Sequence, residues 1–527
     1  MGGQAGRPDW WRGATLYQIY VRSWRDTDGD GYGDLPGVTA GLDYLQWLGV
    51  AGIWLSPTMP SPDRDWGYDV ADYTDVHPDL GTLADLDELV AEARARDIAV
   101  LLDLVPNHTS TTHPWFADAI SGRAAAHRGY YLWADPVPGG GPPNNWRGPA
   151  GRSAWAYDPG SGQYYLHSFL DSQADLNWRE PAVQESFRQI LRFWFDRGIA
   201  GFRIDVAQGL YKDDRLRDDP PATATGPLAG RSGLAQVYSA NRPESHGVFR
   251  DWRAIAESYS PPRLLLGETW VASLDTMASF HGRGDELQLT FNFPFLFAEF
   301  TAPALAGAVA GTLAALPAGE CPVWTGSNHD VSRFPTRWCG GDQVKARLAL
   351  LILATLPGTL VLYYGDELAM TDVAVPADLR RDEMSGDLPA DQGRDRARTP
   401  MPWDGSPAAG FTARGVTPWL PLGGNSARNV AGQRDDPAST LSFCRELLAL
   451  RRAEFGGHAV SYRQLPAPAG VWAYRAAGLL VAANLTDAPV RWRGPIGDVL
   501  LATDPVLRKA GPVTELPPWQ GLAARPL

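Results

Sequence analysis

GFRIDV, residues 201–206, is a short apolar stretch that delivers an acid, Asp205. The pattern recurs in LLLGETW (264–270), which carries Glu268, and in VWTGSNHD (323–330), which ends on Asp330. Each stretch is followed by residues that read as loop and then helix. Three acids at the far ends of strands in series point to a barrel whose strands bring carboxylates to one rim.

Eight strand-like runs are read along the chain, at 15–21, 51–56, 98–105, 201–206, 263–268, 289–293, 322–327 and 360–364. Amphipathic helical stretches lie between them, such as 83–96 and 182–196. Continuous apolar strands alternating with amphipathic helices are the pattern of buried parallel sheet under a helical layer. The expected fold class is therefore α/β, a (β/α)₈ TIM barrel. A doubly wound open sheet is the alternative, but no Gly-rich phosphate turn follows the first strand.

Two long interruptions and a change of pattern divide the chain. The barrel is expected at 1–105 and 177–456. Residues 106–176, rich in Gly, Pro, Trp and Tyr, are too long for a bare loop and read as an inserted subdomain after strand 3. Residues 366–436 suit a long loop at the rim. After a helix at 439–454, segments such as GVWAYRAAGLLVAANL alternate as antiparallel strands do, so 457–527 reads as a C-terminal antiparallel β-domain.

Composition limits the partners. The formal charge of -13 and the lack of a Lys/Arg tract argue against nucleic acid and anionic membrane surfaces, and agree with a neutral, sugar-like ligand. No apolar run reaches the roughly 18 residues of a membrane span, and MGGQAGRPDWWRG has no signal-peptide core. Three cysteines without C-x-x-C give neither a disulfide framework nor a thiolate zinc site. A reducing, cytoplasmic setting is expected. Most of the 21 tryptophans are expected to pack the core, with one or two near a pocket.

Paired carboxylates can break a glycosidic bond when one is ionised and the other protonated, about 5–5.5 Å apart in a retaining enzyme. Arg203 lies two residues before Asp205, on the same strand face. Its charge favours an ionised Asp205, the nucleophile. Glu268 follows an apolar run with no cation beside it in sequence, a setting that favours the protonated form needed of a general acid/base. Asp330, next to His329, is placed to hold sugar hydroxyls.

These segments resemble the α-amylase superfamily, glycoside hydrolase family 13. The matching motifs are DLVPNH (103–108), QADLNW (173–178), GFRIDV, GET (267–269) and SNHD (327–330). The resemblance implies a retaining mechanism with Asp205 as nucleophile, Glu268 as acid/base and Asp330 as transition-state stabiliser. It places Arg203, His108 and His329 in the first sugar subsite. YQIYVRSW (17–24), DWGYDV (65–70) and GRDRARTPMPWD (393–404) are similar to bacterial α-glucosidases and oligo-1,6-glucosidases. That likeness implies that Asp65 and Arg394 clamp a terminal glucose and that Tyr68 stacks on it. Arg398 is a second candidate for the Arg394 role.

DTDGDGYGD (26–34) places Asp26, Asp28, Asp30, the Tyr32 carbonyl and Asp34 in alternation, with glycines that let the backbone wrap a hard cation. It is not an EF-hand, since Gly37 stands where that loop has Glu. Related glucosidases hold Ca²⁺ or Mg²⁺ in such a loop away from the catalytic centre, which implies a structural ion.

Two departures bear on specificity. Where the related enzymes carry a Phe beside the substrate, this chain has Ala150, so the pocket is wider there or another aromatic fills it. Val206 accompanies α-1,6 activity in the family, while DVAQGLYKD resembles maltose-type enzymes, and linkage stays open. The expected activity is an exo-acting retaining α-glucosidase of short α-glucosides. A glucosyltransferase or sugar isomerase using the same covalent intermediate is the alternative. A non-catalytic binding barrel is a third reading, disfavoured by the intact acids.

Overall fold

A computed structural model describes residues 7–223, 228, 232–386, 392–456, 461–509 and 514–527. Eight parallel strands form the central sheet among these residues: β1 (Thr15–Ile19), β2 (Gly52–Leu55), β3 (Ala99–Leu104), β4 (Gly201–Ile204), β5 (Leu264–Gly267), β6 (Leu289–Thr290), β7 (Val323–Thr325) and β8 (Thr359–Tyr363). Their hydrogen-bonded order is β6-β5-β4-β3-β2-β1-β8-β7, the sequential order of a (β/α)₈ barrel. Seven of them fall within the apolar runs read from the sequence, and β8 begins one residue ahead of its run, at Thr359.

The period of two explains both faces. Leu16, Trp54, Leu101, Leu266, Val323 and Val361 share one apolar cluster with Trp10 and Trp11. Their alternates Tyr17, Ile53, Leu102, Leu265, Trp324 and Leu362 belong to the cluster that packs against the helices. The first lane fills the barrel from its N-terminal end. Followed toward the C-terminal ends, it turns from apolar to charged. Leu101 gives way to Asp103, Gly201 to Arg203 and Asp205, and Leu266 to Glu268. The rim is thus built by continuing the core lane two residues further.

The helices carry the start signals their positions call for. Pro181–Asp196 begins with Pro at its first position and buries Val183, Phe187, Ile190, Leu191 and Trp194. Leu83–Ala95 is opened by a capping box between Thr82 and Asp85. Gln343–Thr355 is buried without a break from Leu348 to Thr355. It packs on Thr440–Phe455 and on the C-terminal sheet. Among the described residues no helix is long and apolar enough to cross a membrane.

Between β3 and Pro181–Asp196, His108–Ser110 pairs antiparallel with Gln173–Asp175, and Gln163–Leu166 pairs with both Trp133–Ala134 and Trp155–Asp158. The C-terminal region is antiparallel, as expected, in the order Tyr462–Leu465, Val471–Ala476, Leu479–Asn484, Gly521–Pro526, Ile496–Ala502. It has a hydrophobic cluster of its own around Leu480, Ala482 and Leu522. The boundary expected at residue 457 and residues 1–6 of the N-terminal stretch lie outside the described residues, as do 387–391 of the long loop.

Candidate active site

Asp205, Glu268 and Asp330 all line one cavity of about 800 Å³ at the C-terminal ends of the strands. Asp65, Tyr68, His108 and Arg394 line it with them. The expected residues that do not line it, Arg203 and His329, are completely buried beneath it.

Arg203 is the hub. One of its terminal nitrogens, Nη1, lies 2.6 Å from Asp205 Oδ1 and 2.9 Å from Asp103 Oδ1, and Nη2 lies 2.8 Å from Glu268 Oε1. The guanidinium also lies over the rings of Trp54 and Tyr68. A single planar fork therefore holds the nucleophile and acid/base candidates together.

This corrects two expectations. Arg203 does not serve Asp205 alone, and Glu268 is not without a cation. One positive charge is shared by three buried carboxylates. Burial raises the Asp205 pKa well above the usual carboxylate range, Arg203 pulls it down, and Glu268 and Asp103 push it up again. Asp103 is raised to about 7, chiefly by burial. Asp205 and Asp103 thus titrate as members of one cluster around Arg203.

Asp330 is the opposite case. Burial opposes its ionisation, but His329, Arg394 and Arg398 outweigh it and hold the carboxyl well below its ordinary range. Burial also keeps His329 neutral, so the arginines supply the effect. Arg394 Nη1 and Arg398 Nη2 reach the same Oδ1 at 3.1 and 3.0 Å. The structure separates these two arginines. Arg398 is wholly buried and also bonds the His329 carbonyl at 2.8 Å, so it works beneath the site. Arg394 Nη2 spans to Asp65 Oδ1 at 2.6 Å and to Asp382 Oδ1 at 2.6 Å, and it closes one end of the cavity. Asp382 was not anticipated.

Tyr68 donates to Asp103 Oδ2 at 2.9 Å, and its hydroxyl lies 2.6 Å from His329 Nε2. Gln18 holds the other His329 nitrogen at 2.8 Å. Val206 has φ 45° and ψ 46°, the left-handed region, where a β-branched residue is strained. That turn aims its N–H at Glu268 Oε2, 3.0 Å away, while the Ala207 N–H donates to the Glu268 carbonyl at 2.9 Å.

Ala150 does line the cavity, and so does Phe169, whose ring lies 5.2 Å from that of His108. An aromatic therefore lines the same cavity as Ala150. Phe169, Gln208, Asn241 and Trp270 also face the cavity and were not singled out from sequence. Gln208 and Asn241 lie in the long segment between β4 and Ser245–Glu257, where no periodicity marks them.

In the acidic loop, Asp26, Asp28 and Asp34 bring carboxylate oxygens within 4.8 Å of one another. Asp30 is not in that group; its Oδ1 accepts from the Tyr32 N–H at 2.7 Å. Asp34 also caps Leu35–Ala40, and Asp26 accepts from Gly29 and Gly31 N–H groups. Three acids gathered on glycine-rich backbone, with no ion pair to any of them among the described residues, fit a hard cation.

A model of the alpha amylase catalytic domain matches residues 18–457. The chain belongs to the alpha-amylase family. It is 41% identical over 460 residues to a probable alpha-glucosidase of Rhizobium meliloti, covering 84% of this chain and 83% of that one. It is 35% identical over 539 residues to an oligo-1,6-glucosidase of Heyndrickxia coagulans, covering 92% and 94%. Among solved structures it resembles an alpha-glucosyl transfer enzyme, XgtA, with TM-score 0.91 and 35% identity over 99% of this chain and 100% of that one. Glycoside hydrolase chemistry is the activity of this family and of this chain.

Proposed function

We propose that the protein is an exo-acting, retaining α-glucosidase that releases glucose from the non-reducing end of short α-glucosides. The observation that carries this reading is the Arg203 fork holding Asp205 and Glu268 together, beside a cavity end closed by Arg394, Asp65 and Asp330. In the first step an Asp205 oxygen bonds the anomeric carbon while Glu268 gives its proton to the departing oxygen. In the second, Glu268 takes a proton from water, whose oxygen displaces Asp205. Asp330, held ionised by two arginines, grips sugar hydroxyls as the ring flattens. Arg203, Tyr68, His108 and His329 shape the first subsite, and the Arg394–Asp65 bridge limits it to one glucose.

Transfer to a sugar or alcohol acceptor is the second reading. It is favoured by apolar residues on the far side of the acids, where Leu234, Val237, Trp270 and Val271 line the cavity. Three free, buried cysteines suit a reducing, cytoplasmic location.

The test is a panel of maltose, isomaltose, sucrose, trehalose, maltotriose and an aryl α-glucoside, followed by NMR. The expected first product is α-glucose, with transfer products at high substrate. A first-formed β-anomer overturns the retaining mechanism. Internal cleavage of longer glucans overturns the exo reading.

We assign the Asp26–Asp28–Asp34 cluster to a structural Ca²⁺ or Mg²⁺, with the Tyr32 carbonyl as a further ligand and Asp30 in a supporting place. Asp26 also accepts from Thr412 at 2.5 Å, so an ion there would tie the loop to residues beyond β8. A cation at a hundred times its Kd adds about 2.7 kcal/mol. EDTA is expected to lower the Tm, and Ca²⁺ or Mg²⁺ to restore it, with the response lost in Asp28→Asn. A Tm indifferent to both additions removes the metal.

A further inference from the structure

Lys212 is an ammonium the reaction above does not use. It is almost completely buried, in the segment after β4. Its Nζ lies 2.6 Å from Asp175 Oδ2 and 2.8 Å from Asn107 Oδ1. Asp175 does not depend on it alone, since the Ser168 N–H and hydroxyl donate to its two oxygens at 2.7 and 2.6 Å.

The chemistry of each group fixes the next. An ammonium has three donors and no acceptor. Asn107 must therefore turn its carbonyl oxygen to Lys212, which turns its NH₂ to His108 Nδ1, 3.1 Å away. An NH₂ only donates, so Nδ1 must accept and carries no proton. In the neutral ring the proton then sits on Nε2. There it meets the Tyr68 carbonyl at 2.9 Å, an acceptor, as required. Gln173 Nε2 is 3.2 Å from the same nitrogen, but its hydrogens serve Asp65 Oδ2 at 3.0 Å and the Tyr68 carbonyl at 3.4 Å.

We propose that Lys212 is a positioning residue that, through Asn107, fixes His108 as the Nε2–H tautomer, so that the ring beside the cavity stays neutral with its proton held on the Tyr68 carbonyl. A salt bridge that merely tied the insertion to the barrel could be replaced by apolar packing. Apolar packing could not set the direction of the Asn107 amide. The reading of His108 as a sugar contact belongs to the proposed function, but its tautomer is a property of the unliganded protein.

The charged groups around His108 make the device visible. Asp175 faces it from the paired strand and Asp65 from the loop after β2. Lys212 faces it from the segment after β4. Removing Lys212 leaves the two carboxylates, which favour a protonated imidazole.

The experiment is ¹⁵N NMR of the histidine rings in the full-length enzyme, with His108 assigned by His108→Gln. Wild-type protein is expected to show the Nε2–H pattern from pH 6 to 8. In Lys212→Met the His108 signals are expected to move to the imidazolium or Nδ1–H pattern. kcat/KM should fall roughly 10-fold, about one hydrogen bond's worth, mainly through KM and with a new pH dependence. If that variant does not fold, Asn107→Asp keeps the Lys212 contact and offers His108 a second acceptor, so a proton is expected on Nδ1. Wild-type His108 protonated on Nδ1 overturns the proposal, and so do ring signals unchanged by either substitution. Should the tautomer prove correct while no α-glucoside is cleaved, the functional reading alone fails.

Discussion

Replacing Asp205 by Asn is expected to lower kcat on the preferred disaccharide by about 10⁴-fold or more, the scale of losing a nucleophile, and to raise the Tm. The two effects share one cause. Three buried carboxylates surround the Arg203 fork. Burial raises the pKa of Asp205 in the folded chain above its unfolded value, with Glu268 and Asp103 adding to it against the pull of Arg203. A carboxyl raised in this way stabilises the fold while it holds its proton. That contribution is complete below the unfolded pKa and drains away as pH climbs through the folded one. Once Asp205 ionises, its native charge is therefore a burden. Asn keeps the oxygen that Arg203 Nη1 contacts at 2.6 Å and brings no charge. Thermal melts of both proteins from pH 5 to 9 are expected to show a gap that widens with pH. Near-wild-type turnover sinks Asp205 as nucleophile. An equal or lower Tm across the range sinks the account of an overcharged cluster.

The barrel was legible because each of its strands is an apolar run buried on both faces, a signal that needs no tertiary knowledge. The acids were legible for the same reason, since Asp205 and Glu268 are the next inward positions of lanes already marked by Gly201 and Arg203 or by Leu264 and Leu266. What the sequence hid was sharing. Arg203 is two residues from Asp205, and nothing in the order of residues says that Asp103 and Glu268 arrive at the same guanidinium from neighbouring strands. Arg394 and Arg398 are one helical turn apart and look alike in sequence. Only the loop's path puts one at the cavity and the other under it. Phe169 and Trp270 were lost among many aromatics, because a cavity wall made by irregular loops carries no period. Asp30 stands apart from the group formed by Asp26, Asp28 and Asp34, with its Oδ1 accepting from the Tyr32 N–H, a placing that alternation in the loop does not reveal.

Glu268 calls for a different substitution. Both of its oxygens face donors: Arg203 Nη2 stands 2.8 Å from Oε1 and the Val206 N–H 3.0 Å from Oε2. Gln must set its NH₂ against one of them, on a turn already held at an unfavourable φ, so its loss of activity would mix chemistry with misplacement. Glu268→Ala removes the proton donor and leaves space. Its effect is expected to depend on the leaving group. The glucose unit expelled from maltose departs as an alkoxide unless protonated, so kcat/KM should fall by the 10²–10⁴-fold that general acid catalysis supplies. The 4-nitrophenolate of an aryl glucoside departs without help, so the glucosyl–Asp205 adduct should form quickly and then wait, for want of a base to activate water. Azide needs no such base. It is expected to speed turnover of the aryl substrate and to yield α-glucosyl azide, having attacked the face that Asp205 leaves open. Equal losses on both substrates, with no response to azide, would deny Glu268 the acid/base part. A β-glucosyl azide would mean that the intermediate never formed, and the nucleophile would have to be sought elsewhere than Asp205.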